Sequence, residues 1–113
     1  MLNDPALVVG ANAIDVAITH FQLHSGARGA AGTLLAVGTR VAVNGVVDAD
    51  GDIVWTSTAF TGLPANQAVA EVSYWSALTA GTYYGGAALT GDATANAAGE
   101  YTVTSVTETS TAT

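Results

Sequence analysis

The sequence predicts a mainly β domain, a single antiparallel β-sandwich over residues 1–113 with one short N-terminal helix. Three observations lead there. Runs with a period of two recur at 19–24, 40–47, 52–60, 68–89 and 100–106. Gly, Asp, Asn and Pro cluster between those runs, and only the stretch after Asp4-Pro5 has helical spacing. Alternation marks half-buried strands, and short strands separated by turn residues indicate a sandwich.

Asp4-Pro5 reads as a helix start, with Asp as the cap and Pro at the first helical position. Leu7, Ala11, Ile14 and Ile18 follow at helical spacing, with Asn12 and Asp15 on the other side, so the helix is expected over about Pro5 to Ile18. Gly10 and the β-branched Val8, Val9 and Val16 weaken it, Gly by about 1 kcal/mol against Ala. Thr19–His24 alternates and reads as a strand, and Ser25–Thr39, rich in Gly and Ala, reads as a long loop. Arg40–Val47 and Asp52–Phe60 read as a hairpin around Asp48-Ala49-Asp50-Gly51. Thr61–Gln67 is a turn, Thr90–Gly99 a loop and Glu100–Val106 a last strand, and Thr107–Thr113 is expected to fray.

The stretch Ala68–Leu89 is the organising hairpin. Tyr74-Trp75 and Tyr83-Tyr84 flank the turn Leu78-Thr79-Ala80-Gly81, where Gly81 supplies a positive φ. Facing aromatic pairs stabilise such a hairpin by roughly 0.2–1 kcal/mol each. Large side chains alternate onto both faces, which places one face in the core and the other against a neighbouring subunit.

Composition narrows the function. A chain of 113 residues builds one core. Only 10% of its residues are charged, against about 25% in ordinary domains, so much of the exterior is uncharged or covered in an assembly. The net charge is −7 and the only cations are Arg28 and Arg40. Two cations cannot neutralise enough phosphates to hold a nucleic acid or an anionic membrane. Cysteine is absent, so disulfides and thiolate chemistry are excluded. No apolar run approaches the roughly 20 residues of a spanning helix, and MLNDPALVVG lacks the positive start of a secretory signal.

Little in the chain carries chemistry. His20 and His24 would share one helix face, about 6 Å apart, but lie about 13 Å apart on a strand. The alternation favours the strand, with both histidines hydrogen-bonding loops at its edge. Asp48, Asp50 and Asp52 form D-A-D-G-D. Three alternating carboxylates can converge on calcium, yet Gly51 and the missing distal Glu depart from an EF-hand, and a solvated turn is the plainer reading. GARGAAG over 26–32 is neither a dinucleotide fingerprint nor a P-loop, so it reads as an extended arm. No G-x-S-x-G elbow occurs. Ser25 and His24 could join an Asp as a triad, and Glu71, Glu100 or Asp92 could act as acid–base carboxylates, but no spacing points to either. No catalytic residue, cofactor or firm metal site is assigned.

Several blocks together resemble a family of small tail-fibre-like and decoration-like virion proteins of actinobacterial (mycobacteriophage-type) phages. They are the histidine-bearing strand Ala17–Gly26 (AITHFQLHSG), Gly38-Thr39-Arg40-Val41 after the Gly-rich loop, and Val69–Leu89. In that last block Trp75-Ser76-Ala77 and Thr82-Tyr83-Tyr84-Gly85-Gly86-Ala87 fall in register with the family pattern. Ser73 and Tyr74 stand where the family has Gly and Leu, and the loop lacks its common Asp-Pro. The resemblance covers about residues 11–106 and implies a non-enzymatic virion component. The expected role is head decoration on the capsid exterior, with the major capsid protein or other virion subunits as partners. A homo-oligomer is expected, trimers being common among decoration proteins. A minor tail protein is the nearest alternative, and a carbohydrate- or calcium-binding module is a more distant one. Arg28, Arg40, Tyr74, Trp75, Tyr83 and Tyr84 are the interface candidates.

Overall fold

A computed structural model describes residues 2–110. Helix α1 spans Asp4–Ala17, and its cap is Asn3, whose side chain accepts the Ala6 N–H at 3.3 Å. The cap thus falls one residue earlier than the Asp-Pro signal suggests. Asp4 instead lies in the first turn, where its carboxylate faces the positive end of the helix dipole. The buried face is also rotated from expectation. Ala11 and Ile18 point inward and Asp15 is half-buried, while Ile14 is exposed.

Among the described residues, seven strands form two antiparallel sheets. One contains β1 (His20–His24), β2 (Ala36–Ala42), β5 (Glu71–Trp75) and β6 (Tyr83–Ala88), in the order β2-β1-β5-β6. The other contains β3 (Val46–Val47), β4 (Ile53–Phe60) and β7 (Tyr101–Glu108), in the order β3-β4-β7. The molecule is therefore the mainly β sandwich with one helix that its periodicity indicates, and the hairpin β5–β6 is at its expected place, with Trp75 opposite Tyr83.

The run 40–47 is not one arm of a hairpin. Its first half belongs to β2, which pairs with β1 from His20↔Ala42 to His24↔Ala36. The chain then crosses at Val43, Asn44 and Gly45 to the other sheet, where only Val46 and Val47 pair with β4. Val43 is buried at the crossing and its N–H bonds to the Thr19 carbonyl. β2 also begins inside the stretch read as loop. A register shift opposite Gln22 breaks its alternation, and the Gln22 amide donates to the Val37 and Gly38 carbonyls at 2.8 and 3.0 Å. A side chain fifteen residues away thus satisfies the irregular backbone, which no local pattern reveals.

At the other end, β7 continues through Glu108, and Ser110 bonds to Asp52 and to the Gly51 carbonyl. Residues 107–110 are therefore tied down rather than frayed. Thr111–Thr113 lie outside the described residues.

The core lies between the sheets. Phe21 and Tyr74 from one sheet and Trp55 from the other form an aromatic cluster with ring centroids 5.1–5.3 Å apart. Opposing β4 and β7 share an unusual inward/outward pattern. Ile53 and Trp55 point inward, then Thr56 and Ser57 both face out, then Thr58 and Phe60 point inward again. Opposite them, Thr104 and Ser105 are likewise consecutive exposed residues. Ser57 has φ 39, in the left-handed region, and this single turn of the backbone resets the alternation so that both halves of the sheet keep apolar residues in the core. Substituting Ser57→Val places a β-branched residue in that region and should cost about 1–2 kcal/mol, read as a lower urea midpoint.

Candidate functional site

Strands β1 and β5 lie side by side, with Gln22↔Ser73 and His24↔Glu71 in register. On the face away from the core, Gln22, His24, Ser73 and Trp75 are all buried. This is the face expected to meet a neighbouring subunit. The chain's own Gly-rich segment and β2 cover it instead.

Arg28 fastens the Gly-rich segment. Its guanidinium donates to Glu71 at 2.6 Å and to the Tyr83 hydroxyl at 2.8 Å, and its backbone N–H also reaches Glu71. Gly86 makes this possible, because a side chain there would collide with the Val72 carbonyl and the Arg28 guanidinium. Gly32 does the same beneath the Tyr83 ring, with φ +70. The repeated glycines of GARGAAG are thus a covering segment packed on the hairpin, rather than an extended arm.

Arg40 covers the other end. Its guanidinium carbon lies 3.8 Å from the Trp75 ring centroid, and it donates to the Ala77 and Ala80 carbonyls of the β5–β6 turn. Such a stack contributes about 0.5–2 kcal/mol. Trp75 also packs against Tyr83, with centroids 5.4 Å apart.

Of the six interface candidates, then, Tyr74 is in the core, Trp75 is covered by Arg40, and both arginines are engaged within the chain. Tyr83 is half-buried, and only Tyr84, at 48% exposure, is an open aromatic surface. The Tyr74 hydroxyl donates to Glu108 at 2.6 Å. Burial, and after it Glu108, raises its pKa beyond any ordinary titration range.

Beneath this cover lies a closed polar chain. His24 Nδ1 is 2.7 Å from the Leu34 carbonyl, His24 Nε2 is 2.6 Å from Ser73 Oγ, and Trp75 Nε1 donates to the same Oγ at 2.7 Å. A carbonyl only accepts and an indole N–H only donates. The carbonyl places a proton on Nδ1; burial disfavours a second, on Nε2, and with the imidazole neutral Nε2 accepts from the Ser73 hydroxyl. His24 is in a central strand rather than at an edge, and its hydroxyl partner is Ser73, not Ser25. The pair has the separation of a nucleophile and its base, yet both residues have no exposed surface, so no substrate reaches them as the chain stands. The arrangement joins loop, β1 and β5.

Burial lowers the pKa of His24, opposed by the Leu34 carbonyl and Glu71 and reinforced by Arg28. In the unfolded chain the imidazole takes up a proton near its ordinary 6.5, while in the folded chain it stays neutral to lower pH. Stability from this group is therefore complete above about pH 6.5 and declines below it until folded His24 itself protonates. Urea titrations across this range should show the decline, and a His24→Asn variant should lack that component of the slope.

The three aspartates of the β3–β4 turn do converge: one carboxylate oxygen from each of Asp48, Asp50 and Asp52 falls within 4.8 Å of the others. The turn already employs them. Asp48 Oδ1 accepts from the Asp50 and Asp52 N–H groups at 2.9 and 3.0 Å, and Asp52 Oδ1 accepts from Ser110. Asp48→Ala should cost about 1 kcal/mol, whereas Asp48→Asn, whose amide oxygen accepts equally well, should leave the denaturation midpoint within experimental error of the parent.

Helix α1 presents a surface that the sequence reading passed over. Val9 and Val16, two turns apart, are 71% and 79% exposed, and Leu2 before the cap is 60% exposed. Pro5 and Ala13 are exposed on the same stripe. The spacing 2, 9, 16 is legible in the sequence, but the opposite stripe of Leu7, Ala11, Ile14 and Ile18 already accounts for a helix. A helix apolar on two faces has one face left without a partner among the described residues.

Compared with known proteins, the chain matches no family model, no curated protein and no solved structure. No helix among the described residues is long and apolar enough to cross a membrane.

Proposed function

We propose that this chain is a non-enzymatic structural subunit of a bacteriophage particle, a decoration protein that docks on the major capsid protein at the head exterior. The observation that carries the reading is the exposed apolar stripe of α1, in a molecule whose histidine, serine and both arginines serve internal contacts. Exposed apolar stripes of this kind mark interaction sites. The resemblance of Ala17–Gly26 and Val69–Leu89 to small virion proteins supports the particle as the setting.

Docking through α1 is energetically reasonable. Covering one exposed Val contributes about 1.5–3 kcal/mol, and only the surplus over the entropy of association appears as affinity. A modest contact per copy then acts through repetition over a lattice. The acidic surface suits a partner surface that is apolar at its centre and basic at its rim.

Purified particles should contain hundreds of copies of this chain by quantitative gel staining, and a handful would transfer the assignment to a minor tail protein. A Val9→Glu/Val16→Glu variant alters only exposed positions, so it should fold as the parent does and lose at least tenfold in particle occupancy. Undiminished occupancy would remove α1 from the docking surface.

A further inference from the structure

We infer that β7 is a self-pairing edge, along which two copies of this chain join antiparallel into one six-stranded sheet ordered β3-β4-β7-β7-β4-β3. The inference goes beyond the docking reading, which concerns α1, and does not depend on it. On one side β7 pairs with β4, and on the other it has no strand neighbour among the described residues. Half of its backbone N–H and C=O groups therefore face outward, as on any edge strand. β6 does not close over it. Between β7 and the segment Ala87–Asp92 runs an open groove of about 370 Å³.

Natural edges are blunted by Lys, Pro, bulges or short length. β7 has neither Lys nor Pro, and its one irregularity is the break in alternation at Thr104–Ser105. It is eight residues long, YTVTSVTE, and keeps constant register with β4. Its single charge, Glu108, is at one end.

Three features identify the occupant as a second copy. First, Thr102-Val103-Thr104-Ser105-Val106-Thr107 is nearly the same from either end. A two-fold axis between Thr104 and Ser105 sets Thr102 opposite Thr107 of the second copy, Val103 opposite Val106, and Thr104 opposite Ser105. Second, directly opposed residues in an antiparallel pair share a face. A regularly alternating strand could not place its axis between two residues. The slip at Thr104–Ser105 permits it, and every inward residue then meets an inward one: Tyr101 with Glu108, Val103 with Val106. Third, charge selects the direction. Antiparallel pairing separates the two Glu108 carboxylates by about 23 Å, well beyond the Debye length of about 8 Å in physiological salt, whereas parallel pairing would set them side by side. Such a contact is isologous and closes at two copies, so a three-fold assembly would need another surface.

The cysteine-free sequence makes a clean test. In a Thr102→Cys/Thr107→Cys double variant, the proposed register brings each engineered thiol opposite its counterpart, within the Cα separation that a disulfide spans. In either single variant the like positions are about 16 Å apart. Mild oxidation should therefore convert the double variant to covalent dimer and leave both single variants without a cross-link. Sedimentation equilibrium of the unmodified chain should give twice the 11.2 kDa chain mass. A Thr104→Lys/Ser105→Lys variant, which sets lysines against lysines at the axis, should give the monomer mass with an unchanged far-ultraviolet spectrum. A monomeric unmodified chain overturns the inference, as does cross-linking of the single variants as readily as the double one. All of these measurements use purified chain with no particle present, so their outcome is separate from that of the capsid-docking experiments.

Discussion

Phe21, Tyr74 and Trp55 meet at centroid separations of 5.1–5.3 Å across the two sheets, and the rest of the molecule is arranged to keep them there. Phe21 and Tyr74 oppose one another on β1 and β5, and Trp55 reaches them from β4. Aromatic pairs at this spacing contribute about 0.5–1.5 kcal/mol beyond the area they bury. The cluster also sets direction. Once Tyr74 faces inward, its neighbours Ser73 and Trp75 must face outward, because a one-residue slip exchanges the two faces of a strand.

That requirement accounts for the second layer. Outward-facing His24, Ser73 and Trp75 would leave a polar and aromatic surface open if nothing lay over it. The Gly-rich segment, secured by Arg28 to Glu71 and Tyr83, and Arg40 stacked on Trp75 provide the cover. The two cations of the chain are thereby committed to its own fold, and the acidic side chains dominate what remains outside. A net charge of −7 with both arginines so engaged opposes nonspecific association.

The same geometry separates two kinds of surface. The helix is anchored through Ala11 and Ile18 and exposes Val9 and Val16, the patch proposed above to dock on a different protein. The β7 edge offers backbone groups and a nearly symmetric run of residues, a surface matched to itself. The two proposed interfaces, one that attaches and one that pairs, use opposite features of the fold: side-chain area in the first, unpaired main chain in the second. A cost remains inside. Asp15 Oδ1 and Trp55 Nε1 are both buried without a hydrogen-bond partner among the described residues, beside Gly45, where a side chain would collide with both.

By itself the sequence determined the class of fold, the helix, and the hairpin of Glu71–Ala88, because those depend on periodicity and turn residues that act over a few positions. Only the tertiary structure decided that Arg40–Val47 divides between two sheets, that β2 starts within an apparent loop, and that Trp75 is covered by the chain itself. Each of those depends on a contact between distant residues: Gln22 with Val37 and Gly38, Val43 with Thr19, Arg40 with the Ala77 and Ala80 carbonyls. A local pattern reports which face of a strand is apolar, but not which partner will cover it, since covering is settled by the packing of the whole chain.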